Sequence, residues 1–183
     1  MTSRPGSRFF ACELLFLALT GCGANESTPA PAAAPAASVK PPKVALLSKL
    51  RVDDPSAPTQ LAKGFYGLET SWRWTAAHFS VILKTPPGAA ASGATLTFSF
   101  AISGEVLKQV HAQTLTASVA GKTIKSETFL TPGNHTFTAA IPAELLSGDS
   151  VTVSFAIDKP LPPSPADRRE LGVVATAIGI ESK

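Results

Sequence analysis

Trp72 and Trp74 are the only two tryptophans in a chain of 183 residues, and Arg73 separates them in the stretch "SWRWT". In an extended strand, alternate side chains share a face, so both indoles point the same way. An outward pair forms a platform for a sugar ring, because the axial C–H groups of a pyranose meet the negative π-face of an aromatic. An inward pair is core. Strand parity separates the two readings. On a regular strand the indoles share a face with His78, Ser80 and Ile82, opposite Phe79, Val81 and Leu83. A bulge at Ala76-Ala77 reverses that parity and turns them inward. Arg73 needs a carboxylate if it is half-buried, and Glu69 or Asp167 is the expected partner. Such a pair would pin the first strand to the last. Trp72, Arg73 and Trp74 are thus the candidate ligand-binding residues, and Arg73 with Glu69 or Asp167 is the candidate structural pair.

Other chemistry is sparse. His78, His111 and His135 are the three histidines, each on a separate expected strand and without the close His/Cys/Glu spacing of a zinc site. Asp53-Asp54 and Asp158 have no Asp-rich loop of alternating calcium ligands around them, and read as loop charges. There is no G-x-S-x-G elbow and no phosphate-cradling glycine loop. Nothing singles out a pair of carboxylates placed for glycoside hydrolysis. The expectation is therefore no catalytic residue, no metal and no cofactor. The formal net charge of +3 could suggest nucleic acid, but the excess comes from Arg4, Arg8, Lys40 and Lys43. From Val44 onward twelve Lys and Arg face eleven Asp and Glu. No basic stripe is interleaved with aromatics, which argues against a nucleic-acid partner.

The N-terminal segment carries its own chemistry. Arg4 and Arg8 precede an apolar stretch from Phe9 to Leu19, interrupted by Glu13, and Thr20 and Gly21 then lead to Cys22. A positive start, a short apolar run and small residues describe a secretory signal. The run is too short to span a bilayer, which takes about 20 apolar residues. "LTGC", Leu19 to Cys22, resembles the lipobox of bacterial lipoproteins. The resemblance implies a diacylglycerol on the Cys22 sulfur, cleavage before it and acylation of the new N-terminus. Two or more chains satisfy the requirement for stable anchoring, at ~0.8 kcal/mol per buried methylene. Gly23 follows where an aspartate commonly signals inner-membrane retention in that family, so the resemblance leans toward the outer membrane of the cell envelope. Cys12 would leave with the signal, and Cys22 would have no disulfide partner. From Asn25 to Lys43 the chain is mostly Ala, Pro, Ser and Thr, with prolines that prevent a helix. It reads as a semi-extended tether.

The remaining residues must position the candidate platform, and they read as β. Leu96, Phe98, Phe100 and Ile102 alternate with polar or small residues. So do Val151, Val153, Phe155 and Ile157; His135, Phe137, Ala139 and Ile141; and Val174, Thr176, Ile178 and Ile180. Half-buried strands produce this period. "VAGKTI", Val119 to Ile124, reads as a hairpin about Gly121. Pro86-Pro87-Gly88, Pro132-Gly133-Asn134 and Ser147-Gly148-Asp149 mark further turns. Helix is expected only over Val44 to Leu50 and in one turn at Ala143 to Leu146. Short strands with regular turns predict an all-β antiparallel β-sandwich. The Cys–Trp–Cys spacing of an immunoglobulin domain is absent. The expected organisation is a signal over residues 1–21, a lipid-anchored tether over 22–43 and a sandwich over 44–183.

"GFYGLETSWRWT" (Gly64–Thr75) and "DRRELGVVATAIGIE" (Asp167–Glu181) resemble the first and last strands of certain uncharacterised bacterial β-sandwiches. Those domains occur alone or beside glycosyltransferases and are similar to carbohydrate-binding modules. The resemblance implies a jelly-roll-like sandwich in which the first and last strands are neighbours. It also implies a noncatalytic binding module, with a glycan as the ligand class. The alternative is a structural or assembly lipoprotein acting through protein–protein contacts with an envelope partner.

Overall fold

The computed structural model describes residues 45–183. The signal-like segment, Cys22 and the Ala/Pro tether lie outside the described residues. In chain order the strands are β1 (Lys49–Arg51), β2 (Leu61–Glu69), β3 (Trp72–Lys84), β4 (Ala94–Ile102), β5 (Gln113–Val119), β6 (Lys122–Phe129), β7 (Gly133–Ile141), β8 (Ser150–Ile157) and β9 (Val174–Ser182). Two short helices interrupt them, α1 (Ala89–Ser92) and α2 (Gly104–Val110).

Alternation sets which face each strand buries. In β4, Leu96, Phe98, Phe100 and Ile102 are buried while Thr97 is exposed. β8 does the same with Val151, Val153, Phe155 and Ile157. All pairings are antiparallel, and the ladder runs β6-β5-β8-β3-β9-β4-β7, with β2 added to β3 and β1 to β9. β3 is the hinge of this path. Its beginning pairs with β9 (Arg73 with Ala175, Trp74 with Val174), and its later part pairs with β8 from His78 to Lys84. The path therefore folds over on itself as a β-sandwich, with β2, β3, β8, β5 and β6 facing β1, β9, β4 and β7. Aromatic rings bridge the layers: Phe79 and Phe155 stack at 4.9 Å between centroids, and Phe98 lies 5.6 Å from the first and 5.0 Å from the second. At the far edge the Lys125 ammonium on β6 donates to the Thr138 carbonyl on β7 at 2.9 Å and sits 5.0 Å from the Phe137 ring centroid.

The Ala120-Gly121 hairpin forms as expected, both residues having positive φ, as a two-residue turn between right-twisted strands requires. The strand bearing the tryptophans and the last strand are neighbours, also as expected. Three expectations need correction. Gly64–Thr75 is not one strand: its residues fall in β2 and β3, which turn back on each other at Thr70-Ser71, where Thr70 has φ 55°. The stretch up to Leu50 is not helical, since Lys49–Arg51 is a strand. β9 has β3 as a neighbour only at Val174 and Ala175, and β1 fills the edge beyond, burying Leu50 and exposing Lys49 and Arg51. α2 was not anticipated. Ser103 caps it by accepting from the Glu105 amide at 3.2 Å, and Val106 and Leu107 bury its inner side. Ala143–Leu145 is a single 3-10 turn.

Candidate functional site

Parity through β3 is unbroken. Thr75, Ala77, Phe79, Val81 and Leu83 are all buried, so Trp72 and Trp74 belong to the opposite, outer face. No bulge at Ala76-Ala77 turns them inward. The irregularity lies instead in β2, whose register against β3 shifts between Leu61 and Leu68. Gly64 explains why it lies there: its φ is +74°, and a Cβ at this position would come 2.1 Å from the His78 carbonyl oxygen. The two indoles are half-exposed and meet edge to face, 6.1 Å between centroids at 85°. That arrangement leaves ring surface available while each indole braces the other.

Arg73 points to the inner side and does not form the expected ion pair. Its Nε donates to the Val52 carbonyl at 2.9 Å and its Nη1 to the Tyr66 carbonyl at 3.1 Å. A guanidinium has donors to spare for carbonyls, and here they tie the end of β1 and the irregular part of β2 to β3. Arg169 is the arginine that takes both carboxylates. It reaches Asp167 through Nη2 at 2.8 Å and Nε at 3.0 Å, and Glu69 through Nη1 at 3.0 Å. Its guanidinium lies 5.4 Å from the Tyr66 ring centroid, and the Tyr66 hydroxyl donates to the Glu170 carbonyl at 2.8 Å. The Arg169 side chain and amide hold the Asp167 carboxyl below the usual carboxylate range, while the two carboxylates raise Arg169. Because Glu69 stands opposite Trp72 in the hairpin register, this clamp borders the indole pair. The contact between the β2 end of the sandwich and the segment leading into β9 was expected, but from a different arginine. The sequence analysis did not single out Arg169, because only the turn of the chain at Asp167 brings it back onto its neighbour.

Glu170 carries a role with no local sequence signal. Between Trp74 and His78, β3 leaves β9 and has not yet joined β8. Backbone bonds from Thr75 N to the Val173 carbonyl (2.9 Å) and from Gly172 N to the Thr75 carbonyl (2.7 Å) cover part of this gap. The buried Ala77 amide is left, and it donates to Glu170 Oε1 at 3.0 Å. A carboxylate thus replaces a strand carbonyl. Gly172 allows the close approach, since a Cβ there would meet Thr75 Oγ1 at 2.7 Å.

The remaining candidates are dispersed. His78 is exposed on β3, His111 caps the end of α2, and His135 on β7 packs on Phe129 and Phe100. Asp53 pairs with Arg51, Asp54 accepts from the Ser56 amide at 2.7 Å, and Asp158 accepts from the Thr114 amide at 2.7 Å. Among the described residues, no three His, Cys, Asp or Glu side chains form a metal-holding group.

No protein-family model matches the chain, and no curated protein sequence matches it. Solved structures do resemble it in part. An acetyl xylan esterase, Est2A, from Butyrivibrio proteoclasticus aligns over 76% of this chain at 12% identity and a TM-score of 0.44. The chain spans about a third (34%) of the esterase's length. The CBM36-1 domain of a multidomain xylanase from the hindgut metagenome of Trinervitermes trinervoides aligns over 69% of this chain and 94% of its own, at 9% identity and a TM-score of 0.40. A CBM4 structure aligns over 74% of this chain and 85% of its own, at 12% identity and a TM-score of 0.33.

Proposed function

We propose that this protein is a noncatalytic glycan-binding module, displayed on the cell envelope through an acylated Cys22. The observation that carries the binding reading is the Trp72–Trp74 pair, half-exposed on the outer face of β3 and braced edge to face. A free indole face is the surface on which a pyranose ring stacks. The carboxylates Glu69 and Asp167 are both engaged by Arg169 and so are ill placed for acid–base work on a substrate. The exposed large apolar side chains among the described residues are Leu47, Leu68 and Leu130, in three separate segments. Scattered apolar residues of this kind do not make the continuous patch that a protein partner would favour.

A glycan-array screen of residues 44–183, followed by titration of Trp72→Ala and Trp74→Ala, tests the reading. Each substitution is expected to lower sugar affinity by roughly 1–3 kcal/mol, on the general scale of aromatic stacking. An intact domain that binds no glycan removes the proposal and returns the assembly role to first place. For the anchor, Cys22→Ala is expected to abolish fatty-acid labelling and membrane fractionation of the full chain. Equal label in the variant refutes it.

A further inference from the structure

The outer face of the β1-β9-β4-β7 layer, which Trp74 shares through its register with Val174, holds two hollows. One, of about 290 Å³, is lined by Lys49, Arg51, Thr97, Ser99, Ala177 and Gly179, among others. The second, of about 370 Å³, is lined by Ser99, Phe100, Asn134, His135, Thr136 and Thr176. Ser99 borders both, so together they form one trough.

The strand register defines its floor and walls. Lys49, Gly179, Thr97 and Thr138 form one row across the layer, and Arg51, Ala177, Ser99 and Thr136 form the next. A further row is Trp74, Val174, Ala101 and Asn134. Along β9 the floor is cut low, because Ala177 and Gly179 have almost no side chain. The longer Lys49 and Arg51 rise on one side, and hydroxyls from β4 and β7 line the other. The trough therefore runs from the Lys49 row toward the row that begins with Trp74. From Thr97 to Ala101 this covers about 14 Å along β4, at roughly 3.4 Å per residue.

Charge decides the kind of occupant. Lys49 is paired with Glu181, and Arg51 donates to both carboxylate oxygens of Asp53 at 3.0 Å. The two cations on the wall are thus matched by two carboxylates, and the remaining lining is hydroxyl, amide and apolar groups, with the Phe100 and His135 rings at one end. Such a surface offers donors and acceptors to a neutral polyhydroxyl chain and no net attraction to a polyanion. Resting on the glycan reading above, we propose that the trough is an extended subsite for a neutral oligosaccharide, which continues from a ring stacked on Trp74 across Ala101, Ser99 and Thr97.

The test is calorimetric titration of the full chain with neutral hexasaccharides (cello-, xylo-, manno- and malto-hexaose), the matching disaccharides and an anionic hexagalacturonate. Ala177→Arg fills the floor, and the milder double variant Thr97→Ala/Ser99→Ala removes hydroxyls at exposed or half-exposed positions where folding is least disturbed. A neutral hexasaccharide is expected to bind more tightly than its disaccharide and than hexagalacturonate. Ala177→Arg should weaken it roughly tenfold or more while leaving the disaccharide unchanged, and the double variant should move it in the same direction. Trp74→Ala should weaken both lengths. Hexasaccharide binding that survives the trough variants but not Trp74→Ala overturns the trough and leaves the platform standing. Tighter binding of hexagalacturonate overturns the neutral class. No binding of any sugar overturns both.

Discussion

The two halves of β3 are built on different principles. From His78 to Lys84 the strand lies against β8 in continuous register, and Phe79, Val81 and Leu83 enter a core of stacked rings. From Trp72 to Ala77 the strand has β9 for only two residues, and side chains make up for the missing ladder: Arg73 on two carbonyls, Thr75 Oγ1 on the Val173 amide at 3.0 Å, and Glu170 on the Ala77 amide. The first half shows what alternation alone achieves. The second shows what a strand requires when it changes sheets: every amide released from the ladder must find another acceptor, or burial leaves it unpaired. The candidate platform sits on this second half, where outward side chains meet an irregular, polar surround.

Substitutions can break this contrast or sharpen it. The largest effect is expected in the aromatic core, which touches the ladder half. Phe98→Ala removes the ring that packs against both Phe79 and Phe155 and should cost ~3–5 kcal/mol in urea unfolding. Next comes Glu170→Ala, which strands the buried Ala77 amide and should cost about 1–3 kcal/mol, with Glu170→Gln recovering much of it. If Glu170→Ala is neutral by the same measurement, side chains do not substitute for the ladder as described. Trp74→Ala comes third. A half-exposed indole with one edge-to-face partner should cost about 1–2 kcal/mol, clearly less than the core ring. A loss as large as that of Phe98→Ala would place the indole energetically in the core.

The smallest effect concerns acid. The Asp167 carboxyl is held below its ordinary value by the Arg169 side chain and amide. Its contribution is fully present above the unfolded-state value of about 3.9 and is lost as pH falls through the depressed folded value. Chemical denaturation from pH 7 to pH 2 should show the gap between the parent and Asp167→Asn narrowing across that window. A gap independent of pH would mean that Asp167 acts only by packing.

The sequence by itself determined the strands, because a period of two needs nothing beyond a core on one side. Leu96 to Ile102, Val151 to Ile157 and the Gly121 hairpin were legible for that reason, and so was the class of the fold. The charge balance after Val44 was equally legible, since it is a count. What only the tertiary structure decided is which groups meet. Arg73 and Arg169 are alike in sequence terms, yet one caps carbonyls and the other holds Glu69 and Asp167, because the chain turns at Asp167 and not beside Arg73. Glu170 has no local pattern at all, since its partner is an amide 93 residues away. The face of the indoles was left open by the sequence, because one bulged residue reverses it. Gly64 settles the matter from the neighbouring strand, where its positive φ absorbs the irregularity and leaves β3 straight. The trough was beyond reach for the same reason: Gly179 and Ala177 become a floor only when β1 and β4 are laid on either side of them. Burial periods are local, but register between distant strands is set by how the whole chain packs.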